Sequence, residues 1–334
     1  NIFPSKTMVK KQSYIYIIIV SLLCTFTGCT NGDRGLTPEP IIRLDSLALT
    51  YNNEAETAIL PEDIKAYADA LLQYLGSTHG DTTWQDYATS RAVAMFAPEA
   101  AKVFPNLATM RDTLGMILYN AADKGLVLHR RHYASVVWSD RKSIVINEPY
   151  VFVALNHYLG SNHPAYSGWP QYIRATKCPQ MLPYDLAESL IADAYPYKRI
   201  ANAQRTILSR LLYEGALAYA KTQVVPEATE AHALGYNETT MADIQSNETF
   251  IWKHLIEGQM LYSTDAALME KLFAPSPQTY IISPDAPGRV ARYIGLRIVK
   301  SYMEKYPETA LSQLLSPSFF GTKNSLEKAG YSPS

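Results

Sequence analysis

The chain has 334 residues, of which 47% are hydrophobic and 18% charged, and its formal net charge is -1. That length and apolar content suffice for a substantial core, in one large or two modest domains. A near-neutral balance with no run of like charge argues against nucleic acid as a partner and against an acidic or basic tail.

In chain order, the first element reads as a targeting segment. Lys10 and Lys11 precede "SYIYIIIVSLLCTF", an apolar run of signal-peptide length that is short for a membrane span. Met8 reads as the true start, and residues 1–28 as the signal peptide. The run ends in "FTGC". A small residue before a cysteine at that place resembles the bacterial lipobox, which implies cleavage before Cys29 and a lipid on its sulfur. Residues 29–40, with the polar "TNGDRGLTPEP", read as a lipidated tether, and residues 41–334 as a single domain. The lipid makes the membrane a partner without spanning it. Cys24 lies in the signal and Cys29 carries the lipid, so Cys178 is left alone and no intramolecular disulfide framework can form. With no His or Asn motif beside it, Cys178 reads as an idle thiol.

Pro61, the acids after it and Gly76 predict a helix over 60–76, and residues 82–96 and 106–124 also read as helices. The stretch from Gly125 to Asn156 is rich in Val, Ile and Tyr, with Ser139-Asp140 as a turn, and predicts two or three strands. Pro-rich loop follows, including "SNHPAYSGWPQY". Beyond Pro183, helices are predicted over 184–194, 199–222, 239–262, 266–273, 287–305 and 308–315. Helices, a small sheet and helices again give an α+β class, mostly helical, with an antiparallel or mixed sheet.

The stretch "LLYEGALAYA" (211–220) carries the main chemical question. On a helical projection Glu214 lies within about 20° of Ile207, on the apolar face. An inward carboxylate must be paired, protonated or metal-bound, because burying it alone is expensive. Gly215 beside it leaves room for another backbone. A Glu-Gly on a late helix is what gluzincin-type zinc peptidases use for their third ligand. Such enzymes also need H-E-x-x-H upstream, and the sequence has none. Asp185, Leu186 and Ser189 stand in those places, so both imidazoles and the general base are missing. Asp185 and Glu214 remain as candidates for a peptidase-like hydrolase that uses an unrecognised metal or the two carboxylates as a pair. Arg289 or Arg292 could instead pair with Glu214 or Glu248, giving a polar network of Asp185, Glu214, Glu248, Arg289 and Arg292. Neither His129/His132 nor His157/His163 makes a metal motif, and no metal or other cofactor is expected beyond the lipid on Cys29. Tyr158, Tyr166, Trp169 and Tyr172 cluster beside Asn156 and His157. Asn156, His157, Tyr166 and Trp169 are therefore candidate residues for binding a glycan such as peptidoglycan, or a peptide, although packing of the rings onto the sheet is the favoured reading.

The lipobox, "LNHYLGSNHPAY", "PYDLAESL", "LLYEGALAYA", "SNETFIWKHLIEGQMLYSTD" and "PGRVARYIGLRIVKSYMEKY" occur in one order. Together they resemble the gliding-motility lipoprotein GldB family of Bacteroidetes, over roughly residues 29 to 332. The resemblance implies an envelope lipoprotein needed for gliding and linked to type IX secretion, on a scaffold distantly similar to zinc peptidases, with a zincin-like fold. It implies envelope protein partners and a place on the periplasmic face of the outer membrane. The family carries a Lys after the Glu-Gly where this chain has Ala216. With the zinc motif absent, binding or assembly on a degenerate site is expected in place of hydrolysis.

Overall fold

The computed structural model describes residues 40–53, 60–80 and 82–333. The signal peptide, Cys29 and all of the tether but Pro40 lie outside them. Thr37–Ser334 forms one compact unit.

The stretch "YVFVA" (150–154) is apolar without alternation, and such a strand needs cover on both faces. It takes an inner place in a four-stranded sheet. The strands are β1 (Ile42–Arg43), β2 (His132–Val136), β3 (Ile144–Asn147) and β4 (Tyr150–Ala154), in the order β1-β2-β4-β3. β2 runs parallel to both β1 and β4, and β3 runs antiparallel to β4. The sheet is therefore mixed. The hairpin turn is Glu148–Pro149, with a cis peptide bond. The chain does bend at Ser139–Asp140, where the Lys142 N–H donates to the Asp140 carboxylate at 3.2 Å. The two strands that this bend connects are not neighbours, because β4 lies between them. β1 was not anticipated: two residues carry no periodicity to read. His132 opens β2, whereas His129 precedes it, so the two do not share a strand.

The helices are α1 (Leu44–Asn53), α2 (Glu62–His79), α3 (Trp84–Ala88), α4 (Arg91–Val103), α5 (Ala108–Asp123), α6 (Gln171–Arg174), α7 (Leu182–Ala194), α8 (Ile207–Val224), α9 (Glu230–Leu234), α10 (Glu238–Ser246), α11 (Glu248–Glu257), α12 (Ala266–Phe273), α13 (Val290–Lys305), α14 (Leu311–Leu314), α15 (Pro317–Phe320) and α16 (Asn324–Ala329). The helix predicted over 82–96 is two, because Ser90 caps a new start by accepting from the Val93 N–H. The one predicted over 239–262 breaks at Asn247, whose backbone (φ -111°, ψ 12°) leaves the helical range although Met241, Ile244, Ile251 and Leu255 would share one face. The one predicted from 199 begins at Ile207, capped by Thr206, after two short 3₁₀ turns.

α8 is apolar nearly all round and is accordingly the central helix, with α5, α7, α9 and α13 packed on it. α7 also touches β3, which joins the helical layer to the sheet. The buried ion-pair network sits where α7, α8 and α13 meet. Among the described residues no helix is long and apolar enough to cross a membrane.

Candidate functional site

The site begins with two glycines. A Cβ on Gly215 would stand 2.1 Å from the backbone of Gly295, and one on Gly295 would stand 2.1 Å from the Leu211 carbonyl oxygen. α8 and α13 therefore cross backbone to backbone, as the Glu214-Gly215 pair suggested. Side chains one turn away from the crossing are forced together.

Arg292, from the first turn of α13, is the result. Its Nε lies 3.0 Å from a Glu214 oxygen, and its Nη2 donates to both Glu188 oxygens at 3.2 and 3.1 Å. Glu214 also pairs with Arg210, one turn earlier on α8, and Glu188 with Lys221. Arg210 lies over the Tyr197 ring, 4.9 Å from its centroid. Glu214, Lys221 and Arg292 are all buried. Burial pushes the Glu188 carboxyl up, but the charges of Arg292 and Lys221 more than reverse this and hold it far below the usual carboxylate range. Burial pulls Arg292 down, and Glu188 and Glu214 outweigh it, so the guanidinium is held firmly charged. Two carboxylates and three cations thus form one chain, Lys221–Glu188–Arg292–Glu214–Arg210.

Asp185 stands beside this chain without joining it by an ion pair. Tyr158 donates to its carboxyl at 2.8 Å. Burial, then the charge of Glu188, raises the Asp185 pKa and favours its neutral form. Next to it, Lys177 donates to the Ser143 hydroxyl at 2.9 Å, and the same hydroxyl lies 2.9 Å from His157 Nδ1. Burial, then the charge of Lys177, lowers the His157 pKa to about 3, so the imidazole is neutral at physiological pH.

Not every candidate belongs to the network. Glu248 accepts from Arg297 Nε at 3.1 Å, from Tyr331 at 2.8 Å and from Tyr293, away from Glu214. The Arg289 side chain makes no hydrogen bond or ion pair with a described residue, although Glu188 and Glu214 favour its charge from a distance, and Arg292 alone of the two arginines contacts Glu214. The aromatic loop divides too. Asn156 is buried and brackets the Trp138 backbone, accepting from its N–H at 3.1 Å and donating to its carbonyl at 2.8 Å. Tyr166 is buried, donates to the Asn156 carbonyl at 2.6 Å and stacks on Trp169 at 5.1 Å between centroids. Asn156, His157 and Tyr166 hold the loop in place and offer no open platform; only Trp169, 38% exposed, faces outward. His157 and His163 do not converge, for His163 lies against Glu99 at 3.4 Å. Cys178 is half-buried, and burial raises its pKa, which keeps it a thiol.

Glu188, Lys221, Arg210 and Lys177 were missed by the sequence reading. Helical spacing held a signal for three of them: Glu188 follows Asp185 by three, Lys221 follows Glu214 by seven and Arg210 precedes it by four, all spacings that share a face. Lys177 lies in a loop and gave none.

Zinc does not fit these residues. Among the described residues no three of His, Cys, Asp and Glu converge as a ligand set, and the oxygens of Glu188 and Glu214 are taken by arginine and lysine. A family model described as gliding motility protein GldB matches residues 38–333. No curated protein and no solved structure shows a significant match.

Proposed function

We propose that this chain, which belongs to the gliding motility protein GldB family, acts by binding or assembly and not by hydrolysis, on a zincin-like scaffold whose cation is an arginine. Membership associates it with gliding motility and with the lipoproteins of the cell envelope. The finer reading rests chiefly on one observation: the Arg292 guanidinium lies between Glu188 and Glu214, supplying a fixed positive charge that no substrate can displace. A hydrolytic metal needs an open coordination position, and a catalytic carboxylate needs a free oxygen. These two glutamates offer neither. On this reading Cys29 carries the lipid, the domain faces the periplasm from the outer membrane, and its partners are envelope proteins, including those linked to type IX secretion.

The test is metal content and hydrolysis on protein expressed without tag histidines, compared with Glu214→Ala. The expected result is a folded wild type with no stoichiometric metal and no cleavage of peptide substrates, together with specific envelope partners in cells by photo-crosslinking. Stoichiometric metal lost in Glu214→Ala, or peptide cleavage lost in Asp185→Asn, would overturn it.

A further inference from the structure

A cavity of about 480 Å³ opens beneath the aromatic loop, with Arg141, Trp169, Tyr172, Thr176, Lys177 and Arg289 among its lining residues. Its volume lies in the range of small-molecule sites and is far too small for a folded partner. Three of its walls are cationic, and no Asp or Glu lines it.

Among the described residues none of the three charges is matched by an ion pair, and the acids that favour them (Asp185 for Lys177, Glu188 and Glu214 for Arg289) act from a distance. Lys177 has a neutral partner, the Ser143 hydroxyl. Among the described residues the guanidinium groups of Arg141 and Arg289 have no carboxylate partner. Asp185 is the nearby acid that Lys177 feels, but it makes no ion pair with Lys177, its carboxyl accepts from Tyr158, and burial and Glu188 raise its pKa. Elsewhere in the core the rule is the opposite: Arg292, Lys221 and Arg210 each hold a carboxylate. Cations gathered on one cavity repel one another, and partial burial removes the water that would screen them. Burial accordingly lowers the pKa of both Lys177 and Arg289.

The arrangement is also held in place. Arg289 has φ of +62°, a conformation uncommon for a residue with a Cβ. A Cβ at Gly235 would meet Arg289 Nη2 at 2.9 Å, so a glycine there makes room for the guanidinium. Across the cavity Trp169 is fixed by stacking on buried Tyr166, and the Lys177 ammonium lies 5.9 Å from its ring centroid. An arginine fork and an ammonium beside a fixed ring match an anionic head on a flat apolar body.

We propose that this cavity binds a small organic anion, its carboxylate or phosphate head held by Lys177 and Arg289 with Arg141 at the rim, and its body against Trp169 and Tyr172. The assignment goes beyond the binding role proposed above and holds whether or not the glutamates are catalytic, so the metal and cleavage assays leave it untouched.

The experiment is isothermal titration of the folded protein with phenyl phosphate and phenylacetate, and with benzyl alcohol as the neutral control. At least one anion should bind while the alcohol does not, and whichever binds tighter tells a phosphate source from a carboxylate source. Arg289→Gln should weaken the binding tenfold or more, and raising the salt should weaken it further. Trp169→Ala, at a residue 38% exposed, should weaken it severalfold in a protein that circular dichroism shows still folded, so the proposal stays testable even if Arg289→Gln folds poorly. Anions that bind no better than benzyl alcohol, or binding unchanged in both variants, would overturn the proposal.

Discussion

Arg289 and Arg292 stand three residues apart at the start of one helix and have opposite surroundings. Arg292 is buried between two glutamates, its Nε 3.0 Å from Glu214 and its Nη2 donating to Glu188. Arg289 has its guanidinium against Gly235 and a cavity, with no carboxylate on it. The backbone crossing explains the first: once Gly215 and Gly295 touch, Arg292 has nowhere to go but between Glu188 and Glu214. The second is favoured only from a distance, by Glu188, Glu214 and Tyr236, and no described carboxylate contacts it. A cation satisfied by its own chain is architecture, whereas one turned to an open space is available to something else.

The largest effect expected is on the Arg292 side. Arg292→Leu leaves two partly desolvated carboxylates sharing only Lys221 and Arg210, and the loss of stability should be about 3–5 kcal/mol by urea unfolding. If Arg292→Leu were as stable as the wild type, the ion-pair chain would be ornamental and the contrast empty. Next comes the crossing itself: Gly295→Ala puts a methyl into the Leu211 carbonyl and should cost about 3 kcal/mol, with the helices forced apart. A smaller, pH-dependent effect belongs to the cavity side. The folded pKa of His157, about 3, lies below an unfolded value near ~6.5. Its contribution is therefore complete above pH ~6.5 and is lost as pH falls toward 3. Melting temperature should decline through that window, and His157→Asn should flatten the decline. Glu188, also depressed, adds its own loss as pH falls through the ordinary carboxylate range and below it. The smallest effect is Arg289→Gln: deleting an unpaired cation should leave stability within about 1 kcal/mol of wild type, or slightly raise it. A large loss there would mean that Arg289, like Arg292, is a structural charge.

The sequence made Glu214 legible because a 3.6-residue period puts it among Ile207 and Leu211 whatever packs on the helix. Gly215 was legible for a similar local reason. The partner of Glu214 was not, since Arg289 and Arg292 are equally plausible until the crossing angle is known. Glu248 was misassigned for the same cause: its partners Tyr293, Arg297 and Tyr331 come from distant chain. The helical class and the sheet region followed from periodicity and composition. The order β1-β2-β4-β3 did not, because β1 is two residues with no period to read and the pairing of β4 with β2 rather than of β3 with β2 is a long-range choice. The cavity was invisible because its cations come from three separate loops, and only Trp169 among the residues proposed for binding lines it.

The first described turn of the fold has a mechanical consequence. Asp45, fully buried, accepts from the Ser135 hydroxyl at 2.5 Å and from Arg43, while Arg43 Nη1 also grips the Phe104 carbonyl at 2.6 Å. Chain entering at Pro40 is thus riveted to the sheet and to the end of α4 within five residues. Tension arriving from the N-terminal side meets the core with almost no slack, and what yields first is decided by one carboxylate and one guanidinium, not by the length of the two-residue strand.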